Sequence, residues 1–372
     1  MLVELLCKCK NYGWGKELPE SLSGRFYLEN TGNKGTAGPY AEMWVGTHPE
    51  GPSVDKDTQR PLSELLPDKT FPVLLKTLSV KTALSIQAHP DARLAEELHR
   101  THPETYTDAS NKPEMAVALS DSEMLFGFLS HREIEKNTEK YPQLLGFLGE
   151  ENTNTAELCK ELFGAFLTAS KEKIQKETDS LVQTLRNKKE LTDTEKWFLK
   201  LQQQFPYDSG CFCVFLMNIA LLRKDSAVFI DENTPHAYLS GELLECMKTS
   251  DNVVRAGLTP KHKDVDVLLN MLSYTEQRPA FVSPFSATAS LYIPPKKHFA
   301  VGHVVLNNQK SHQIFLPPSG ALLVCLGGGG TVEGAGKAID VRFGSSLFSD
   351  TPLTVQALQD NTALYWAFVP SS

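Results

Sequence analysis

The chain has 372 residues, 41% of them hydrophobic, and a net charge of −8 at pH 7. That length allows roughly two or three domains of ~100–200 residues with ample cores. The acidic balance and the lack of a long basic block exclude nucleic acid or an anionic membrane as the main partner, while a single basic cluster still suits a small anionic substrate.

Glu4 comes early and no long apolar stretch follows it, so no signal peptide is expected. Residues 1–16 read as a strand with alternating polar positions, ending Asn-Tyr-Gly-Trp-Gly-Lys at 11–16. Residues 42–49 form a strand entering a turn, and 48–53 are loop. Val73–Val80 and Thr82–His89 are two strands around Lys81, followed by a short helix over 91–101. Pro113 leads into a strand from Glu114. This first third is β with short links, which fits a barrel or sandwich.

Composition then shifts. From about 129 to 222 the chain is rich in Glu, Lys, Leu and Gln. Leu158, Leu162 and Phe166, then Ile174, Leu181 and Leu185, follow helical spacing. We read an all-helical block, closed by the apolar run Cys211–Leu222. Asn218 interrupts that run, which is too short to span a bilayer.

Strand character returns at Ala227–Ile230. His236, Tyr238 and Ser240 share a face, and Gly241 is read as a turn. Leu243, Glu245 and Met247 share the next face, Ser250–Asn252 turn again into Val253–Gly257, and residues 268–272 form a short helix. The remainder is β, with the glycine-rich stretch 327–336 as a flexible hairpin connection. It is no P-loop, because Thr331 and Ala338 occupy required Gly and Ser/Thr positions. The expected organisation is a β domain over 1–128 plus 223–275, a helical insertion over 129–222 and a second β domain over 276–372. The seven cysteines include no Cys-x-x-Cys pair, which predicts reduced, buried thiols in a cytoplasmic protein.

Residues 84–91, Leu-Ser-Ile-Gln-Ala-His-Pro-Asp, alternate at the strand period. Leu84, Ile86 and Ala88 point one way; Ser85, Gln87 and His89 point the other. Alone, this pattern also describes an edge strand with a solvated face. Together with Glu114 and His236 it offers two imidazoles, a carboxylate and an amide oxygen, a donor set that zinc accepts. Lys112, Arg255 and Lys261 lie on the same strands or just beyond, and a metal flanked by cations suits a phosphorylated, oxygen-rich ligand.

Residues 84–91, Asn-Lys-Pro-Glu-Met at 111–115, Pro-His-Ala-Tyr-Leu-Ser-Gly at 235–241 and the stretch 250–261 resemble the type I phosphomannose isomerase family. So do residues 11–16 and 42–53. The likeness is close over the N-terminal third and about 225–270, and weak elsewhere. It implies a cupin-type β-barrel or jelly-roll core with a second, cupin-like C-terminal domain, and reversible interconversion of mannose 6-phosphate and fructose 6-phosphate. It implies one zinc per chain at Gln87, His89, Glu114 and His236, with Arg255 at the catalytic position. A monomer with a sugar phosphate as its only partner is expected. Asn111 stands where the family usually has His, so an imidazole at that position takes no part here. Residues 344–350, Gly-Ser-Ser-Leu-Phe-Ser-Asp, also depart from the family's closing strand.

Aldose–ketose exchange moves a proton between C2 and C1 through a cis-enediol(ate), whose barrier is negative charge building on oxygen. Arg255 is too weak an acid to serve as a base and is read as a charge stabiliser. Glu245, Lys112, Lys261 and a zinc-bound water are base candidates. Lys112, Lys261, Ser85 and Tyr238 are candidates for holding the substrate. An iron cupin dioxygenase would need neither Gln87 nor the cations. A non-catalytic, metal-stabilised sugar-binding module would need neither Arg255 nor Glu245.

Overall fold

The computed structural model describes residues 1–35, 38–148, 157–282 and 289–370. At its centre is the strand Val73–Val80, buried at all eight positions. It pairs with Glu42–Val45 on one side and with the second half of His236–Lys248 on the other. Val73 and Leu75 face a core shared with Leu322, Val324 and Phe348 from the C-terminal region. Leu74, Lys76 and Leu78 face the opposite way and line a cavity. Covered on both faces, the strand buries even its polar positions Lys76, Thr77 and Ser79.

His236–Lys248 is a single 13-residue strand. The sequence reading of a turn at Gly241 is overturned. The chain passes straight through that glycine with φ +118°, and the pairing register shifts between Tyr238 and Ser240. Its first half pairs with Ser122–Phe128, its second with Val73–Val80 and Glu114–Ala118. The strand therefore joins two halves of an eleven-stranded sheet. The irregularity also shifts side-chain parity. Tyr238 before it and Glu245 and Met247 after it all face the same cavity.

The helical block comprises His131–Lys140, Leu158–Thr168, Lys171–Arg186 and Asp193–Gln204. Ser130 and Thr192 start their helices with full capping boxes closed by Glu133 and Glu195. Leu158, Leu162, Phe166, Leu181 and Leu185 bury together with Phe212 and Phe215, as their spacing predicts. Only the first half of the run 211–222 packs with the helices. Ser209–Phe215 is a 3₁₀ segment, and Met217–Leu222 is a strand paired with Ser122–Phe128. An unbroken apolar stretch carries no period that could separate these states.

The C-terminal region packs a seven-stranded sheet against a four-stranded one. Two strands of the former come from the N-terminus: Leu2–Leu6 pairs with Ser346–Ser349, and Val54–Asp55 pairs with Leu2–Leu6. The glycine-rich stretch is not a flexible link. Gly329–Gly334 is a strand paired on both sides, with Lys337–Arg342 and Leu353–Ala357. A Cβ on Gly330 would lie 2.2 Å from the Gln356 carbonyl, so close backbone approach explains the glycine there. The mainly β, cupin-type architecture with an inserted helical block is the one expected. No helix among the described residues is long and apolar enough to cross a membrane. All seven cysteines are buried and unpaired.

A Cβ at Gly241 would sit 2.0 Å from Ser122 Oγ, on a backbone with φ +118°. Strain and overpacking together should make Gly241→Ala cost about 2–5 kcal/mol, measured as a lower urea midpoint at unchanged slope.

Candidate metal centre

The two halves of the sheet enclose a cavity of about 570 Å³. Gln87 enters from the strand Ile86–Ala88, where it lies opposite both His236 and Arg255 in the pairing register. Glu114 opens the strand Glu114–Ala118, and His236 opens its own. His89 follows one residue after Ala88.

Each histidine is oriented by a backbone carbonyl. His89 Nδ1 donates to Asn252 O at 2.7 Å and His236 Nδ1 to Thr234 O at 2.9 Å. These bonds leave both Nε2 atoms as lone-pair donors pointing inward. His89 Nε2 lies 3.2 Å from one Glu114 oxygen and His236 Nε2 lies 3.4 Å from the other. All three side chains are buried, and the three ligand atoms fall within 4.8 Å of one another. Both Nε2 atoms and Glu114 Oε2 have no hydrogen-bond partner. Three acceptors converge with no proton between them, an arrangement that a cation satisfies.

The electrostatics match. Burial, aided by Lys112 and opposed by Glu114, drops the His89 pKa to about 4 and keeps the ring neutral. Burial opposes ionisation of Glu114, and the positive charge of Lys112 beside it pulls its carboxyl the other way. Lys112 Nζ is 3.3 Å from Glu114 Oε1.

The remaining sequence candidates all line the cavity: Ser85, Tyr238, Glu245, Arg255 and Lys261. Arg255 is half-buried, and burial lowers its pKa. Lys261 is exposed at the rim, 5.9 Å from the Tyr12 ring centre. Asn111 stays out of the cavity. Its side chain lies on the reverse of the wall, accepting from Lys248 Nζ at 2.6 Å and donating to Glu232.

Sequence reasoning missed a second charged group in this cavity. Lys76, 7% exposed, is 3.1 Å from Glu245 and 4.0 Å from Glu42. Glu42 in turn accepts from Trp44 Nε1 at 2.5 Å. Burial would lower the Lys76 pKa, but the carboxylates of Glu245, Glu42 and Glu114 outweigh it and raise it. Burial, then Glu114, raises Glu245. His48 and Asp251 form a further missed pair, Nε2 to Oδ1 at 3.1 Å, at the same cavity. The available signal for Lys76 was the one charged residue in the eight-residue strand Val-Leu-Leu-Lys-Thr-Leu-Ser-Val, where burial requires a partner.

Lys76→Met should cost about 3–5 kcal/mol, because it leaves the buried Glu245 carboxylate uncompensated, and Lys76→Met with Glu245→Leu should recover most of that loss. Chemical denaturation of the two variants checks it. Equal stabilities would show that Lys76 contributes nothing by pairing.

A family model described as phosphomannose isomerase type I, catalytic domain, matches residues 2–131, and its helical insertion domain counterpart matches 133–217. The chain is 35% identical to mannose-6-phosphate isomerase 2 of Arabidopsis thaliana, over 99% of this chain and 93% of that protein. It is 34% identical to the mannose-6-phosphate isomerase of Schizosaccharomyces pombe, over 99% of each. A solved point mutant of phosphomannose isomerase from Salmonella typhimurium matches with a TM-score of 0.85 at 25% identity, covering 99% of this chain and 100% of that one. A Salmonella typhimurium mannose 6-phosphate isomerase structure bound to substrate and zinc matches with a TM-score of 0.85 at 24% identity, over 100% of both chains. With its catalytic and helical segments both matched and its full length aligned, the chain belongs to the type I phosphomannose isomerase family.

Proposed function

We propose that this chain is a zinc-dependent mannose-6-phosphate isomerase that interconverts mannose 6-phosphate and fructose 6-phosphate, supplying mannose phosphate for GDP-mannose and glycosylation. The observation that carries the reading is the convergence of the His89, Glu114 and His236 acceptor atoms at the wall of a cavity that Glu114 shares with Lys112, Arg255 and Lys261. Gln87 completes the donor set as a neutral amide. Two imidazoles, an amide oxygen and one carboxylate leave bound zinc with one net positive charge, so it supplies Lewis-acid stabilisation of negative charge on oxygen.

The chain's own groups then have separable tasks. Glu245 lines the cavity with its pKa raised, which suits a carboxylate that takes the proton between C2 and C1 through a cis-enediol(ate). Lys76 holds that carboxylate in place at 3.1 Å. Arg255 has no ion pair or side-chain hydrogen bond among the described residues, so its guanidinium is available to a developing oxyanion. Lys112 sits beside Glu114 and adds a second positive charge near the reacting carbons. Lys261 at the rim and Ser85 on the wall suit the phosphate, and Tyr238 shapes the sugar site.

The direct test is a coupled isomerase assay with and without a chelator, using mannose 6-phosphate and unphosphorylated mannose. Turnover of the phosphorylated sugar alone, abolished by chelation and restored by zinc, is expected. Far-UV circular dichroism should barely change on chelation, because the ligands sit in a large β core. Comparable turnover of mannose would refute the cationic phosphate site.

Steady-state kinetics separates the roles. Arg255→Ala should lower kcat by about 10²–10³-fold with KM changing less, and Arg255→Lys should rescue poorly because an ammonium lacks the planar fork. Glu245→Gln should lower kcat by roughly 10²–10⁴-fold. Zinc content should be unchanged in all three. A tenfold rise in KM at constant kcat would make Arg255 a phosphate anchor instead.

A further inference from the structure

The segment that carries Lys112 into the cavity is held from behind. Adjacent residues of an extended segment point to opposite faces. Lys112 faces the cavity, with its ammonium 3.3 Å from Glu114. Asn111, 4% exposed, faces away. Its carboxamide oxygen accepts from Lys248 Nζ at 2.6 Å and its nitrogen donates to Glu232. Glu232 also meets Lys296 Nζ at 2.6 Å, and Lys296 meets Asp231 at 2.8 Å. One polar chain thus runs from the end of the strand His236–Lys248, through position 111, to the turn before His236 and on to the segment after Ser290–Tyr292.

The chemistry at position 111 is specific. An amide places an acceptor and a donor one carbon apart, so it answers an ammonium and a carboxylate at once. Both bonds are charge-assisted, and hence short and directional. The amide does not titrate, so the bridge has a single state. Upstream, the Ser110 carbonyl accepts from Asn252 Nδ2 at 2.8 Å and Ser250 Oγ at 3.1 Å. Those bonds fix the approach of the segment. Asn111 is the last side-chain anchor before Lys112 turns inward. Without it, Lys248 and Glu232 would face a gap, and the backbone at 111–112 could shift while the metal ligands, held by their own strands and carbonyls, stayed in place.

We propose that Asn111 is a positioning residue for the isomerase reaction: its bridge between Lys248 and Glu232 aims Lys112 at the reacting end of the cavity, and Lys296 links that aim to the C-terminal region. The proposal rests on the reading of Lys112 as a substrate-facing group. A neutral imidazole also carries a donor and an acceptor one carbon apart. Asn111→His is therefore the conservative replacement at alkaline pH, where the ring is neutral.

The test uses zinc-loaded, full-length protein at pH 8. Acylation of individual lysines by acetic anhydride is followed by mass spectrometry, with the exposed Lys337 as the internal reference, and kinetics are measured with mannose 6-phosphate. Asn111→Ala should raise the Lys112 acylation rate about fivefold, leave Lys337 and the zinc content unchanged, and lower kcat/KM roughly tenfold by misplacing a cavity group. The double variant Asn111→Ala with Lys112→Ala should be no slower than Lys112→Ala alone, since one residue acts through the other. Asn111→His should restore both readouts. Lys248→Met, which removes the donor to the same oxygen, should reproduce the labelling change and serves if Asn111→Ala does not fold. Unchanged Lys112 labelling in these variants, or losses that multiply in the double variant, would overturn the proposal. Raised labelling with unaltered turnover in Asn111→Ala and Lys112→Ala would preserve the positioning role and overturn the assignment of Lys112 to the reaction.

Discussion

Two imidazole nitrogens and a carboxylate, all turned as acceptors, are held within 4.8 Å of one another in the protein interior. Such a cluster is unfavourable unless a cation shares it, and the rest of the fold keeps it from relaxing. The carbonyls of Asn252 and Thr234 lock the two rings so that neither can turn its N–H inward without losing a hydrogen bond. Lys112 blocks the simpler escape, protonation of Glu114, by placing a positive charge 3.3 Å away. The site is therefore a buried recess whose acceptor atoms are arranged to receive a positive charge.

Holding that recess demands a wall rigid on both sides. The sheet around Val73–Val80 provides it, because its reverse face is covered by the C-terminal sheet in one continuous core. Lys76, Glu42 and Glu245 can then be charged and buried together at the cavity face. Such pairs add little net stability but are costly to break, which makes the wall specific in geometry more than strong. The helical block closes the opposite side: Gln204 accepts from Ala83 N–H at 3.1 Å, and Phe205 lines the cavity.

Strand His236–Lys248 connects these parts. By crossing from one half of the sheet to the other it brings Tyr238 and Glu245 to one cavity although they fall on opposite parities, and it carries His236 to Glu114 at that cavity's wall. The register shift between Tyr238 and Ser240, with Gly241 at φ +118° just after it, lets one strand serve both halves with opposite side-chain parity.

The order of β, helical and β regions was legible in the sequence because composition and period change where the structure changes. The candidate metal ligands were also legible. Gln87 and His89 alternate along a short polar face, and the motifs around Glu114 and His236 are long and distinctive. Tertiary structure alone decided the rest. Gly241 read as a turn because local propensity cannot tell a left-handed turn from a bulge. Residues 217–222 and 329–334 read wrongly because what makes them strands is a partner distant in sequence, Ser122–Phe128 for one and Leu353–Ala357 for the other. Lys76 was hidden because its significance depends on Glu245, 169 residues away, and Asn111 because its partners, Lys248 and Glu232, lie more than a hundred residues on. Chemistry carried by one segment is written locally; pairing across the chain is a property of the folded sheet, where burial makes each partner obligatory.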